Sequence, residues 1–162
     1  MSYYEDNPDS DSFYQGDVLK DYDIVILPDK TAETLSMETS ASTTGTALIR
    51  VKRDRTNIMI ISQTCDILNR DFVAICPVSP ISKLANDNRQ DAVRKGKTNY
   101  RFWLPEKIGY IEESYADLQI INTIKRDNLD LASRVAALTD RYRTHLTDCL
   151  YRFFCRAITI EG

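Results

Sequence analysis

The sequence predicts a mainly β domain with a C-terminal helix, an α+β protein built as a small barrel or strongly bent sheet that the helix closes. Short apolar runs rich in β-branched and aromatic residues recur along the chain, and each is too short for a helix. Near the C-terminus, apolar residues instead return every three or four positions, which is typical of a helix with one buried face. A chain of 162 residues is long enough to bury the core of a single domain.

The first half of the chain contains a predicted β-hairpin with mostly buried strands. Its strands are the apolar runs at residues 58–61 and 72–78, and residues 66–71 supply the turn. The other elements expected here are a disordered acidic arm at 1–12, a strand at 21–28, a long mobile loop at 29–46, a strand at 46–51 and a basic turn at 52–57. Residues 13–162 are therefore expected to form one domain after the arm.

The second half is expected to finish the sheet and then form the helix. A short helix is predicted over 82–94, strands over 99–104 and 116–124, and either a last strand or the start of a helix over 129–137. The closing helix is predicted over 140–156, because Tyr142, Leu146 and Cys149 fall on one face and Thr139 is a suitable N-cap.

Charge is divided unevenly along the chain. Residues 1–44 carry ten acidic side chains against two lysines, so this part has a net charge of −8 and the remainder has +5. The division fits either an acidic arm that shields a basic, anion-binding body or a solvating tail with ordinary surface charge. No apolar run approaches the ~20 residues of a membrane span, and the acidic N-terminus is unlike a signal peptide. We therefore expect a cytoplasmic protein that does not enter a membrane.

The polar cluster Gln63-Thr64-Cys65-Asp66 follows the first hairpin strand and either caps the sheet or lines a site. Cys65 with His145 would suit a cysteine hydrolase, and His145 with Cys149 and a further cysteine would suit zinc. Neither pattern has the flanking residues that such sites need, and the four cysteines fit no disulfide framework. Capping and packing are the preferred interpretation, so we expect reduced cysteines and no metal or cofactor.

Basic and aromatic residues are interleaved in two segments, a combination that suits single-stranded RNA because rings stack on bases and cations follow phosphates. The alternative is that the aromatic residues are core and the charges are solvated. The members are Arg50, Lys52, Arg53, Arg55, Arg94, Lys95, Lys97, Tyr100, Arg101, Phe102 and Trp103.

The order of elements resembles the MazF/PemK-like toxins. Gly16-Asp17-Val18 precedes an apolar strand, Arg55 leads into the next strand, and Cys76-Pro77-Val78-Ser79 is similar to the end of the paired strand. The resemblance implies an SH3-like barrel, a homodimer, an antitoxin-like partner and metal-independent cleavage of single-stranded RNA. It implies Arg55 as the cation that stabilises the phosphate and Ser79 as the assisting hydroxyl group. Thr56 stands where the family has Pro, so Arg53 is the second candidate for the cation.

Two hypotheses follow. In the first, the protein is a toxin-type ribonuclease or RNA-binding protein that needs no metal. In the second, it is a non-catalytic regulatory module of a bacterial stress or phage-defence system. In both, the residues expected to contact RNA or a protein partner are Lys52, Gln63, Thr64, Cys65, Asp66, Arg101 and Trp103.

Overall fold

The computed structural model of the protein describes residues 2–26 and 52–155, in which seven strands and three helices are formed. The strands are β1 (Val18–Ile26), β2 (Lys52–Ile60), β3 (Phe72–Pro80), β4 (Arg101–Leu104), β5 (Ser114–Asp117), β6 (Asn122–Lys125) and β7 (Arg134–Ala136). The helices are α1 (Thr64–Asn69), α2 (Asp87–Arg94) and α3 (Asp140–Phe154). The predicted loop over 29–46 and the predicted strand over 46–51 lie outside the described residues.

The strands form one antiparallel sheet in the order β4-β5-β3-β2-β1-β7, with β6 paired to β3 beyond the end of β5. The predicted hairpin is confirmed, since β2 and β3 pair from Asn57 with Val78 to Ile60 with Ile75. Both hairpin strands are buried at their centre because each face of the sheet packs against other elements. The predicted class, mainly β with a C-terminal helix, is confirmed.

Three boundaries differ from the prediction. Residues 52–57 were expected to form a turn but belong to β2. This charged segment has no apolar alternation, and its pairing with β1 makes it a strand. Residues 66–71, expected as a turn, instead lie largely in α1, which buries Ile67. The strand expected over 116–124 is divided into β5 and β6, which pair with different ends of β3.

The C-terminal helix α3 covers one face of the sheet, as its apolar spacing predicts. Leu146, Cys149 and Leu150 are buried in a cluster with Met59 and Val78 of the central hairpin. Thr139 occupies the N-cap position without a side-chain hydrogen bond to the helix. None of the helices in residues 2–26 and 52–155 is long and apolar enough to cross a membrane.

The sheet does not close into a barrel within the described residues, because β4 and β7 remain its two edges. Residues 2–5, here called the N-terminal strap, connect these edges through side chains. Tyr4 is 5% exposed, forms a β-bridge with Leu138 just after β7, and donates its hydroxyl to the Pro105 carbonyl just after β4 at 2.7 Å. The backbone N–H of Glu5 donates to the Ala137 carbonyl at 2.9 Å. Residues 2–5 of the segment 1–12, expected to be a disordered acidic arm, are therefore packed, since Tyr3 and Tyr4 bury apolar rings among polar neighbours, whereas residues 6–12 are mostly exposed.

A buried ion pair fixes the chain just after the strap. Asp17 is fully buried, and its Oδ2 accepts hydrogen bonds from the Arg134 guanidinium and from the Tyr14 backbone N–H, both at 3.0 Å. Arg134 also donates to the carbonyl oxygens of Ser12 and Asp9. Burial raises the pKa of Asp17 to about 6, although the hydrogen bonds from Tyr14 and Arg134 act in the opposite direction.

Candidate functional site

A groove of about 710 Å³ runs along the free edge of β4. One wall is the C-terminal end of α2 with the turn after it, and the other wall is the exposed side of α3. Tyr3 of the N-terminal strap lies in the same groove. The groove is therefore assembled from three segments that are far apart in the sequence: the strap, residues 93–103 and α3.

Aromatic rings line the groove in stacked and edge-on arrangements. The rings of Tyr3 and Tyr142 are stacked, with centroids 3.7 Å apart and planes inclined by 28°. Trp103 meets Tyr3 edge-on at 5.8 Å, and Tyr151 is 67% exposed at the end of α3. Exposed aromatic faces in a groove of this kind are surfaces on which flat, unsaturated rings stack.

The lining is positively charged although the whole chain has a net charge of −3. Its charged members are the cations Arg94, Lys95, Arg101 and Arg152 and the single carboxylate Asp148. Several of these cations also contact acids beside the groove: Arg94 forms two 2.7 Å hydrogen bonds to Glu113, and Lys95 lies 3.2 Å from Asp91. The Arg94 hydrogen bonds lower the pKa of Glu113, which therefore stays ionised and holds Arg94 at the groove wall.

Arg101 is held more rigidly than a surface cation. Its guanidinium lies 4.9 Å from the Tyr100 ring centroid and 5.0 Å from that of Tyr115, and its Nε is 3.7 Å from the Asp117 carboxylate. Its Nε is buried and has no hydrogen-bond partner within the described residues. Cation–π contacts on two sides fix where this charge sits.

The backbone of β4 also faces the groove. The Leu118 N–H donates to the Tyr100 carbonyl at 2.9 Å, which makes Tyr100 a hydrogen-bonded position of the β4–β5 ladder. Because such positions alternate along an antiparallel pair, the amide groups of Arg101 and Trp103 point away from β5. The Trp103 carbonyl accepts the Tyr3 hydroxyl at 2.5 Å, as this pattern requires.

The predicted catalytic residues are not brought together. Asn57 and Val78 are directly paired, so strand alternation puts Arg53 and Arg55 on the Asn57 face and Ser79 on the opposite face. Both arginines are exposed and each lies beside an acid, with Arg53 3.2 Å from Asp23 and Arg55 4.0 Å from Asp21. The predicted pairing of an arginine with Ser79 across one rim of the hairpin is therefore not formed.

Ser79 instead belongs to the face that carries Arg101. It pairs with Tyr115 on β5, and Tyr115 pairs with Trp103 on β4. A hydrogen bond from Ser79 is among the influences on Tyr115, whose pKa burial raises. The serine is thus the cross-strand neighbour of Tyr115, whose ring Arg101 also contacts. Lys52 is the first residue of β2, three strands away from β4 in the sheet order.

The polar cluster that follows β2 forms the start of α1. Thr64 Oγ1 accepts the Gln15 backbone N–H at 3.3 Å, and Asp66 lies 3.8 Å from Arg70 one turn later. Gln63 and Cys65 are exposed and contact each other at 3.8 Å. These contacts fit the capping interpretation of the cluster. Arg101 and Trp103 are the two predicted binding residues that line the groove.

His145 lines the groove as well, edge-on to Tyr142 at 5.4 Å. Across residues 2–26 and 52–155, no three or more His, Cys, Asp or Glu side chains are grouped to hold a metal ion, so the zinc arrangement considered for His145 and Cys149 is not formed there. Burial raises the pKa values of the Cys149 and Cys76 thiols, which favours the uncharged form of both.

Sequence reasoning missed Tyr3, Tyr142, Tyr151 and Arg152 as groove residues. The helical spacing places Tyr142 on the apolar face of the terminal helix, and the acidic composition predicts disorder for the segment that holds the strap. A pair of adjacent tyrosines in an otherwise acidic segment was the one available signal that this segment packs.

No protein-family model matches the chain, and no curated protein is significantly similar to it in sequence. Among solved structures, the chain is similar to the crystal structure of MazF (Form-I) from Deinococcus radiodurans. That alignment covers 94% of this chain and 98% of that chain, at 11% sequence identity and a TM-score of 0.44. At this identity and TM-score no function follows from the likeness, so the function is argued from the groove residues alone.

Proposed function

We propose that the protein binds single-stranded RNA in the groove beside β4, without a metal ion. The observation that carries this proposal is the combination of four cations with aromatic rings, half-buried at Trp103 and exposed at Tyr151, in one groove of an acidic chain. Single strands are bound in this way because every base has a face that stacks on an aromatic ring, while arginine and lysine follow the backbone phosphates.

Two parts of the groove have different tasks in this proposal. Tyr151 and Trp103 offer ring surface to bases, and Arg152 and Lys95 offer positive charge to phosphates. Arg101, which contacts the rings of Tyr100 and Tyr115 and lies beside Asp117, supplies a cation with a fixed position in the lining. An arrangement of this kind distinguishes single strands from duplexes, because bases in a duplex are not free to stack on protein side chains.

The proposed activity is binding rather than cleavage at the predicted pair. Phosphodiester cleavage by Arg55 and Ser79 requires both groups at one phosphate, and they lie on opposite faces of the sheet. This separation favours the RNA-binding form of the first hypothesis, in which RNA is bound and left intact. An antitoxin-like partner and a homodimer stay predictions.

Substitutions in the groove are expected to weaken RNA binding. Tyr151→Ala should raise the Kd for a fluorescein-labelled single-stranded RNA by about fivefold or more, since one stacked base is worth about 1–3 kcal/mol, which corresponds to about five- to 150-fold in affinity. Arg152→Ala should raise the Kd and also reduce the slope of log K against log salt by about 0.7, the value for one lost phosphate contact on a single strand. The measurement is fluorescence anisotropy in EDTA over a series of salt concentrations.

Matched controls separate this site from general surface effects. Tyr110→Ala and Arg70→Ala remove an exposed tyrosine and an exposed arginine outside the groove and should leave the Kd within about twofold. A double substitution of Arg53 and Arg55 by Ala should also leave it nearly unchanged. If the double variant lost most of its RNA affinity while Tyr151→Ala bound normally, the RNA site would lie at β2 and not in the groove.

A further inference from the structure

We infer that the Tyr142 ring beneath Tyr3 is a stacking subsite for one unpaired base, and that the N-terminal strap covers this subsite when no RNA is bound. The inference rests on the proposed function and names one contact within it. Tyr3 then acts as an internal stand-in for the base.

The stacking geometry supports this role. Tyr3 stacks on Tyr142 with ring centroids 3.7 Å apart and planes inclined by 28°, so this face of Tyr142 already holds a flat ring, and a base is a flat ring that stacks on aromatic side chains. Trp103 meets Tyr3 edge-on at 5.8 Å and forms the side of the same position. A base in place of Tyr3 would find a platform below it and a wall beside it.

The hydrogen bond of Tyr3 supports the same role. Its hydroxyl donates to the Trp103 carbonyl, one of the edge groups of β4 that point away from β5. Every nucleobase carries an amino or ring N–H group on its Watson–Crick edge, or both, and such a group can donate to that carbonyl in place of the hydroxyl. The backbone N–H of Trp103 also points away from β5 and can donate a hydrogen bond to a ring nitrogen or carbonyl oxygen of the same base.

The strap can release the Tyr3 side chain without leaving the sheet. Its backbone is held because the Tyr3 carbonyl accepts the Thr139 N–H at 3.2 Å and the Glu5 N–H donates to the Ala137 carbonyl at 2.9 Å. Tyr4 is buried, and Glu5 lies 2.7 Å from Arg143. In this inference Tyr142 is uncovered by rotation of the Tyr3 side chain alone, which then also leaves the rings of Tyr4 and Phe102.

The test uses a short single-stranded RNA with a central 2-aminopurine, whose fluorescence falls when it stacks. Tyr3→Ala should bind this RNA about three- to tenfold more tightly than the unchanged protein and quench its fluorescence more strongly. In this variant the base displaces no tyrosine ring from the stack and breaks no hydrogen bond to the Trp103 carbonyl. Tyr3→Phe keeps the ring and loses the hydrogen bond, so its Kd should lie between these two values. Tyr142→Leu keeps an apolar side chain but removes the aromatic ring on which the base stacks. Combining it with Tyr3→Ala should abolish both the tighter binding and the stronger quenching of 2-aminopurine seen in Tyr3→Ala.

Other outcomes overturn the inference in distinguishable ways. If Tyr151→Ala and Arg152→Ala lose affinity as expected, the proposed function stands. Weaker RNA binding by Tyr3→Ala would then mean that Tyr3 itself contacts the RNA, and unchanged binding would mean that Tyr3 has no role in RNA binding. Absence of binding by both the unchanged protein and Tyr3→Ala would overturn the proposed function as well. Tyr110→Ala is the matched control and should bind like the unchanged protein.

Discussion

Replacing Arg134 with Met is expected to destabilise the fold by about 3–5 kcal/mol, the usual cost of breaking a buried ion pair by removing one partner. Arg134 has a side chain only 7% exposed and lies 3.0 Å from Asp17, which is fully buried. Its loss leaves the Asp17 carboxylate without its cation and releases the carbonyls of Ser12 and Asp9. The measurement is urea unfolding followed by the fluorescence of Trp103, the one tryptophan of the chain.

The loss should depend on pH in a defined direction. Burial raises the pKa of Asp17 to about 6 from its ordinary value of 3.8. The stability that the protonated carboxyl contributes is therefore fully present below the lower value and is lost as the pH rises through the higher one. Arg134 lowers that pKa, and its removal raises it further. Arg134→Met should therefore be more destabilising at about pH 8 than at about pH 5.

A second substitution provides the control. The double variant Arg134→Met with Asp17→Asn removes both charges and should recover part of the lost stability, because neither group is then a buried unpaired ion. Equal stability of Arg134→Met and the unchanged protein at every pH would mean that the pair contributes nothing to the fold. If the double variant loses more unfolding free energy than the two single variants lose together, the charge explanation is contradicted.

Replacing Gly16 with Ala is expected to cost about 2–4 kcal/mol, from backbone strain and overpacking together. Gly16 has a φ of +87°, which L residues rarely adopt. A Cβ placed there would lie 2.6 Å from Cδ1 and 2.9 Å from Cγ of Leu138, a fully buried side chain. The backbone cannot move away easily, because the Gly16 N–H donates to the Ile60 carbonyl at 2.8 Å.

Gly96 supplies the matched control for this prediction. Its φ is +61°, but nothing lies within 4 Å of a Cβ built there. Gly96→Ala should therefore show the strain alone, about 1 kcal/mol in the free energy of unfolding. If the two glycine variants lost the same stability, the contact with Leu138 would have no energetic role.

The elements that sequence reasoning predicted correctly are those whose own residues are buried. The runs around Ile60 and Ile75 are apolar enough to require a buried hairpin, and the spacing of Leu146 and Cys149 requires a packed helix. Lys52 to Asn57 carries charges on both faces, so its strand comes from pairing with β1 and not from any local pattern. The strap is not predicted from composition because it lies in an acidic segment, while its packing depends on two rings, those of Tyr3 and Tyr4.

The groove could be predicted only in part. Arg101 and Trp103 lie close together in one segment, and their residue types already suggested RNA. Tyr3 and Tyr142 are at opposite ends of the chain, and their contact exists only once the strap has bridged the edges of the sheet. The resemblance gave Arg55 and Ser79, but the paired register separates them, as a one-residue displacement along a strand must. The cytoplasmic location and a role in stress or phage defence stay predictions.

The most direct test of the central claim is photocrosslinking of the protein to single-stranded RNA that contains 4-thiouridine, in EDTA, with the crosslinked residues identified by mass spectrometry. The groove account predicts crosslinks on β4 and α3, at Trp103, Tyr142 or Tyr151, and RNA that remains uncut. Crosslinks confined to β2 around Arg53 and Arg55, or RNA that fails to bind at all, would contradict it.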